Sequence, residues 1–214
     1  MNNQQVTNGE RSLLATLRAL VPPRQLTPWE QQRVAELQAN RFLALVEIEA
    51  APVPSEVITE LPRLQVLTVP DLPVSGTAQW VRGRWLISLA GHELPARQRF
   101  SLGHEFKHVL DHPLREVVYV DRGGYSVHEQ AERVADYFAA CLWMPKRLVV
   151  RAWASGVQRP RALAALFEVS QTAMRHRLSQ LGLTEPVKRC HRTAFSSRPR
   201  YERAAPRLST LGAT

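Results

Sequence analysis

The sequence predicts an α+β protein that is mostly helical and carries one small antiparallel sheet. Helix-start chemistry recurs along it. Thr27-Pro28-Trp29-Glu30 supplies a capping residue, a first-turn proline and a glutamate three positions on, and Ser126 with Glu129 repeats that spacing. From Ala96 to His112 there is no internal proline and a single glycine, Gly103. Between those stretches, Leu64 to Leu89 alternates and turns at Arg82-Gly83, as strands and a hairpin do.

In chain order, Met1–Asn8 reads as disordered. Thr7 and Glu10 have capping-box spacing and predict a short helix through Leu20, stopped by Pro22 and Pro23. The helix after Thr27 is expected to reach about Glu49 and to turn Val34, Leu37, Leu45 and Ile48 inward. Ala51–Pro54 is a linker, and Ser55–Leu61 a turn or two of helix. The strands are Leu64–Val69, Thr77–Val81 and Arg84–Leu89. Trp80 and Trp85 read as cross-strand packing, with the lining of a cleft as the alternative.

Pro95 suits the first turn of the next helix and Pro113 ends it. Leu114–Tyr125, with Gly123-Gly124, reads as irregular and as a candidate flap. The helix from Ser126 reaches Met144-Pro145, and another covers Lys146–Ala154 before Ser155-Gly156 breaks it. Pro160–Phe167 and Ser170–Leu181, joined by Glu168-Val169, have the form of a helix-turn-helix. Arg175, His176 and Arg177 offer contacts to DNA. The favoured reading packs this pair as a C-terminal lobe, with Leu163, Leu166, Val169, Met174, Leu178 and Leu181 inward.

Composition narrows the class. Of 214 residues, 44% are hydrophobic, which suffices for a core, and no apolar run reaches the length of a membrane span. MNNQQVTNGERS lacks the basic and apolar regions of a secretory signal. Two cysteines, Cys141 and Cys190, make no disulfide framework, which favours a reducing cytoplasm. The net charge of +9 permits attraction to nucleic acid, but much of the excess sits in the tail after Gly182.

The chemistry concentrates in Phe100–Pro113, FSLGHEFKHVLDHP. His104 and His108 are four apart, so on a helix both rings reach one metal ion. Glu105 lies beside them, placed to take a proton from an attacking water. This is the H-E-x-x-H pattern of zinc metallopeptidases. The third ligand is not on the same helix. Asp111 and Leu114 stand where a metzincin needs Gly and His, and His112 is about 12 Å along the helix from His104. On the helix after Ser126, Glu132 can supply a carboxylate, and Asp136, one turn on, can accept the free ring N–H of a ligating histidine. Two such facing helices make a gluzincin-type site. A solvated charged face is the alternative for Glu132 and Asp136, and Glu129 is a rival ligand whose capping role is simpler. Tyr125 and His128 are candidate donors to the oxyanion of a tetrahedral intermediate.

Three blocks in order, RQRFSLGHEFKH, ERVADYFAACLWMP and LAALFEVSQTAMRHRLSQLGL, make the chain resemble the ImmA/IrrE metallo-endopeptidases over about Leu61 to Leu183. The resemblance implies a zincin-like fold, Zn2+ held by His104, His108 and Glu132, and Glu105 as catalytic base. It also implies a cytosolic enzyme that cuts a helix-turn-helix repressor or antitoxin. Lys107 and Asp136 stand where many relatives have Gly and Asn, and an aspartate keeps the same hydrogen-bonding role. The expected organisation is an N-terminal helical region at 1–54, a metallopeptidase core at 55–158, a helix-turn-helix-like lobe at 159–184 and a basic disordered tail at 185–214. The alternative is a DNA-binding regulator with a non-catalytic metal site.

Overall fold

A computed structural model describes residues 13–121 and 124–183. The expectations for Met1–Asn8, for the helix start at Thr7, for Gly123, for Cys190 and for the tail at 185–214 lie outside those residues. Residues 13–18 are helical. Helix α1 (Pro28–Leu45) starts where Thr27 and Glu30 satisfy each other's backbone in a complete capping box. It ends earlier than Glu49, because Glu47 adopts a left-handed backbone at φ 54°.

The buried face of α1 differs from the one expected. Val34 is buried and Ile48 packs against the core, but Leu37 and Leu45 are 42% and 38% exposed. Gln31 and Gln38 point inward instead, beside Ala35, Ala39, Phe42 and Leu43. Burying an amide is tolerable only when its polar atoms find partners. Here Gln31 donates to the Leu26 carbonyl and to Gln130, and Gln38 donates to the Leu17 carbonyl.

After the short helix α2 (Glu56–Thr59) come β1 (Leu64–Val69), β2 (Gly76–Val81) and β3 (Arg84–Ala90). The expected hairpin is present, with β2 antiparallel to β3 and Trp80 opposite Trp85. Their rings meet edge-on at 5.5 Å. Strand β1 adds to the far side of β3 in parallel, so the sheet is mixed, in the order β1-β3-β2, and β2 is an edge.

Helix α3 (Pro95–Asp111) lies between this sheet and α5 (Val127–Trp143), and α5 in turn packs on α1. Phe42, Phe106 and Phe138 carry the join, one from each helix, with ring centres 5.3 Å and 6.2 Å apart. Each such aromatic pair contributes about 0.5–1.5 kcal/mol beyond its buried area. Gly103 sets how closely α3 and α5 approach: a Cβ there would lie 2.5 Å from the indole nitrogen of Trp143. Arg99 stacks over the same indole at 4.4 Å and pairs with Glu168 at 3.3 Å.

The stretch expected to be irregular contains one helical turn, α4 (Arg115–Val118). Helices α6 (Lys146–Ala154), α7 (Pro160–Phe167) and α8 (Gln171–Gln180) complete the fold. Leu163, Val169, Met174 and Leu178 are buried as expected, while Leu166 is exposed and Leu181 half-buried. Arg177 is not a surface contact. It is 1% exposed and donates to the Met144 carbonyl at 3.0 Å, clamping α8 to the end of α5. Cys141 is buried in the core, and that burial pushes its thiol up to about 11. No helix among the described residues is long and apolar enough to cross a membrane.

Candidate metal centre

Two helices build the centre. On α3, His104 and His108 share a face, with rings 4.8 Å apart. On α5 the capping box at Ser126 and Glu129 sets the helix start, so Glu132 projects toward α3 from the second turn. The carboxylate of Glu132 spans both imidazoles. Its Oε2 lies 3.2 Å from His104 Nε2 and its Oε1 3.2 Å from His108 Nε2, while the two Nε2 atoms are 3.1 Å apart. One turn on, Asp136 accepts the Nδ1–H of His104 at 2.8 Å, which holds the ring in the tautomer that aims Nε2 into the site.

The three donors fit a metal ion. On a tetrahedral ion with bonds of about 2.0–2.1 Å, donor atoms lie about 3.3 Å apart. The two Nε2 atoms, 3.1 Å apart, and the carboxylate, with one oxygen 3.2 Å from each ring, have spacings close to that. Among the described residues, His104, His108 and Glu132 form the one group of this kind.

A cavity of about 650 Å³ opens over these donors. Strand β2 forms one wall through Gly76, Thr77 and Ala78, and α3 forms the floor. Glu105 is 8% exposed and reaches under the edge strand. Burial raises its pKa, the charge of His104 opposes that, and Glu132 adds to it. Burial also pushes His108 down to about 4, helped by the neighbouring His104. For His104 burial works the same way, but the bond to Asp136 and the surrounding carboxylates outweigh it and leave the pKa raised.

The cavity also holds residues that sequence reasoning passed over. Gly76 is one. A Cβ there would lie 2.9 Å from Cγ and 3.1 Å from Oε1 of Glu105, so the bare backbone makes room for that carboxylate. Gly76→Ala is expected to move Glu105 and to lower turnover about ten- to a hundredfold, with the metal content unchanged. In a Glu105→Ala background the same substitution should cost no stability; a melt that drops equally in both backgrounds would show that Gly76 acts elsewhere. Arg115, on α4, is another, 3.5 Å from the ring of His128. Nothing in its sequence context marked it, because α4 was not expected.

The candidate oxyanion donors separate. His128 lines the cavity, with Nδ1 3.5 Å from Glu132. Tyr125 does not line it; its ring lies under the guanidinium of Arg133, at 4.6 Å. Of the two tryptophans, Trp85 lines the cavity and meets His112 edge-on at 5.0 Å, whereas Trp80 is 54% exposed.

Comparison with known proteins gives a family match and a structural likeness. A family model described as Peptidase_M78, IrrE N-terminal-like domain, matches residues 66–179. A search of curated proteins finds no match. Among solved structures, the chain is similar to a Mycobacterium tuberculosis transcriptional regulator at TM-score 0.51 and 15% identity. That likeness covers 78% of this chain and 51% of the other, so this chain spans about half the regulator's length. At such identity it speaks for the fold alone.

Proposed function

The chain belongs to the Peptidase_M78 family, and from that premise we propose that it is a zinc-dependent endopeptidase of the cytoplasm. Its substrate in this proposal is a helix-turn-helix transcriptional repressor or antitoxin, cut at a specific site in a stress, mobile-element or toxin–antitoxin setting. The observation that carries the reading is the convergence of His104, His108 and Glu132, whose ligand atoms all lie within 4.8 Å of one another and come as close as 3.1 to 3.2 Å, near the spacing of tetrahedral coordination. Two imidazoles and a carboxylate suit Zn2+, and three protein ligands are the number that catalytic zinc sites use.

Bound zinc supplies Lewis acidity, lowering the pKa of water toward about 7 and polarising a peptide carbonyl. The protein's own groups do the rest. The edge of β2, along the cavity, offers unpaired backbone groups to an extended peptide, which orients the scissile bond. Glu105 takes the proton of the attacking water and passes it to the leaving amine. Its burial favours the neutral form, so the carboxyl can hold that proton between the two steps. Asp136 keeps His104 oriented. His128 and Arg115, which line the same cavity, are the donors that reach developing charge on the carbonyl oxygen.

The test is incubation of the zinc-loaded protein with the helix-turn-helix protein encoded beside it, with products read by mass spectrometry. A single cut that disappears on chelation and returns with zinc is the expected result. An intact partner, with zinc bound at one equivalent, overturns the repressor assignment. The alternative, DNA binding through α8, loses one of its three candidate contacts, since Arg177 is buried against Met144 while Arg175 and His176 are exposed.

A further inference from the structure

A second cavity, of about 360 Å³, opens between α5 and α8. It adjoins the metal cavity: Phe100 and Asp136 line both. Arg177 lines it and is 1% exposed, with Nε on the Met144 carbonyl, Nη1 on Gln180 Oε1 at 3.2 Å, the Tyr137 ring centre 5.9 Å away, and the Tyr137 hydroxyl and Cys141 thiol as further neutral neighbours. No carboxylate lies within ion-pair distance of Arg177 among the described residues. The acidic groups on that side are engaged elsewhere: Asp136 with His104 at 2.8 Å, and Glu36 with Arg33 at 3.6 Å. Arg133 and His176 add further cationic or donor groups to the lining.

A guanidinium buried without a counter-charge is costly, and neutral acceptors offset only part of that cost. A carboxylate arriving in the groove supplies the missing charge, and Arg recognises that group better than any other side chain does. We propose that this groove is a substrate subsite for an acidic side chain, Asp or Glu, of the peptide lying in the metal cavity. The proposal rests on the peptidase reading above. It gives the C-terminal helix pair a task in choosing the substrate: α8 forms the far wall of the cleft.

The test uses the full chain, zinc-loaded, on a library of proteome-derived peptides, with cut sites read by mass spectrometry. One position on one side of the scissile bond is expected to be enriched in Asp and Glu several-fold. In Arg133→Glu/His176→Glu that enrichment is expected to vanish or to turn to Lys and Arg. A second measurement needs no turnover. A labelled, terminally blocked peptide drawn from the profile should bind zinc-loaded Glu105→Gln protein about tenfold more tightly than its Glu-to-Gln twin, by fluorescence anisotropy, which corresponds to about 1.4 kcal/mol. The double variant should erase the difference. A parent profile without an acidic position, or one that the double variant leaves unaltered, overturns the subsite while the peptidase reading stands. A preference that disappears when peptide C-termini are amidated reassigns the groove to a terminal carboxylate and overturns the side-chain proposal. A parent that cuts no peptide removes the peptidase reading and the subsite together.

Discussion

Glu105→Gln is expected to leave the protein folded and zinc-loaded while peptide cleavage falls about a hundred- to ten-thousandfold, the range that a positioned general base supplies. The substitution is nearly isosteric, which matters because Glu105 is 8% exposed and fills the space left by Gly76. Folding should tolerate the amide, since burial already favours the uncharged carboxyl. None of the three candidate metal ligands changes. The measurement pairs initial rates with metal content in the same preparation. A variant that holds one zinc and cuts within about tenfold of the parent, below what such a base contributes, would remove Glu105 from the mechanism.

The second large effect is on stability. Asp111→Ala is expected to cost about 3–5 kcal/mol, the usual result of breaking a buried ion pair from one side. Lys107 is 2% exposed, and its ammonium bonds Asp111 at 2.5 Å and Gln38 at 2.7 Å. Asp111 also accepts from the Tyr119 hydroxyl. Without the carboxylate, an ammonium and a phenol remain in the core, and the neutral amide oxygen of Gln38 is the acceptor left to the ammonium among these groups. Burial lowers the pKa of Lys107 and Asp111 opposes this, so the lone amine sheds its proton more readily and the cost tends to the lower end. For a fold of this size the melting temperature should drop by about 6–15 °C. Lys107→Met/Asp111→Asn should recover most of it, because Asn keeps the Tyr119 bond and no charge stays buried. A single variant that melts within about 2 °C of the parent, less than 1 kcal/mol at this size, would mean that the pair contributes almost nothing.

The candidate metal cluster was legible because its spacing is local. His104, Glu105 and His108 sit within one helical turn or so, and Glu132 and Asp136 follow from a capping box that fixes where α5 starts. Only the facing of the two helices was tertiary, and Gly103 against Trp143 is what brings it about. The buried side of α1 was misread for the opposite reason. Gln31 and Gln38 are inward because Leu17, Leu26, Lys107 and Gln130, all on other segments, satisfy them. Periodicity of apolar residues carries no trace of such partners. The same holds for Lys107, which spacing alone places on a surface. Strand alternation revealed β1 and the hairpin, but not that β1 runs parallel to β3, since pairing direction depends on the crossover rather than on the strand.

Arg18 donates to the carbonyls of Val109 and Leu110, at 2.9 and 3.1 Å, in the last turn of the helix that presents His104 and His108. Those acceptors have no partner within their own helix, and the turn that carries His108 ends against them. The clamp comes from a position 48 residues ahead of the family-matched stretch, which begins at residue 66. An expression fragment trimmed to the recognisable homology would therefore start life with α3 frayed at its end and with α1 stripped from α5. The minimal unit to clone is set by that guanidinium, well upstream of where similarity to relatives begins.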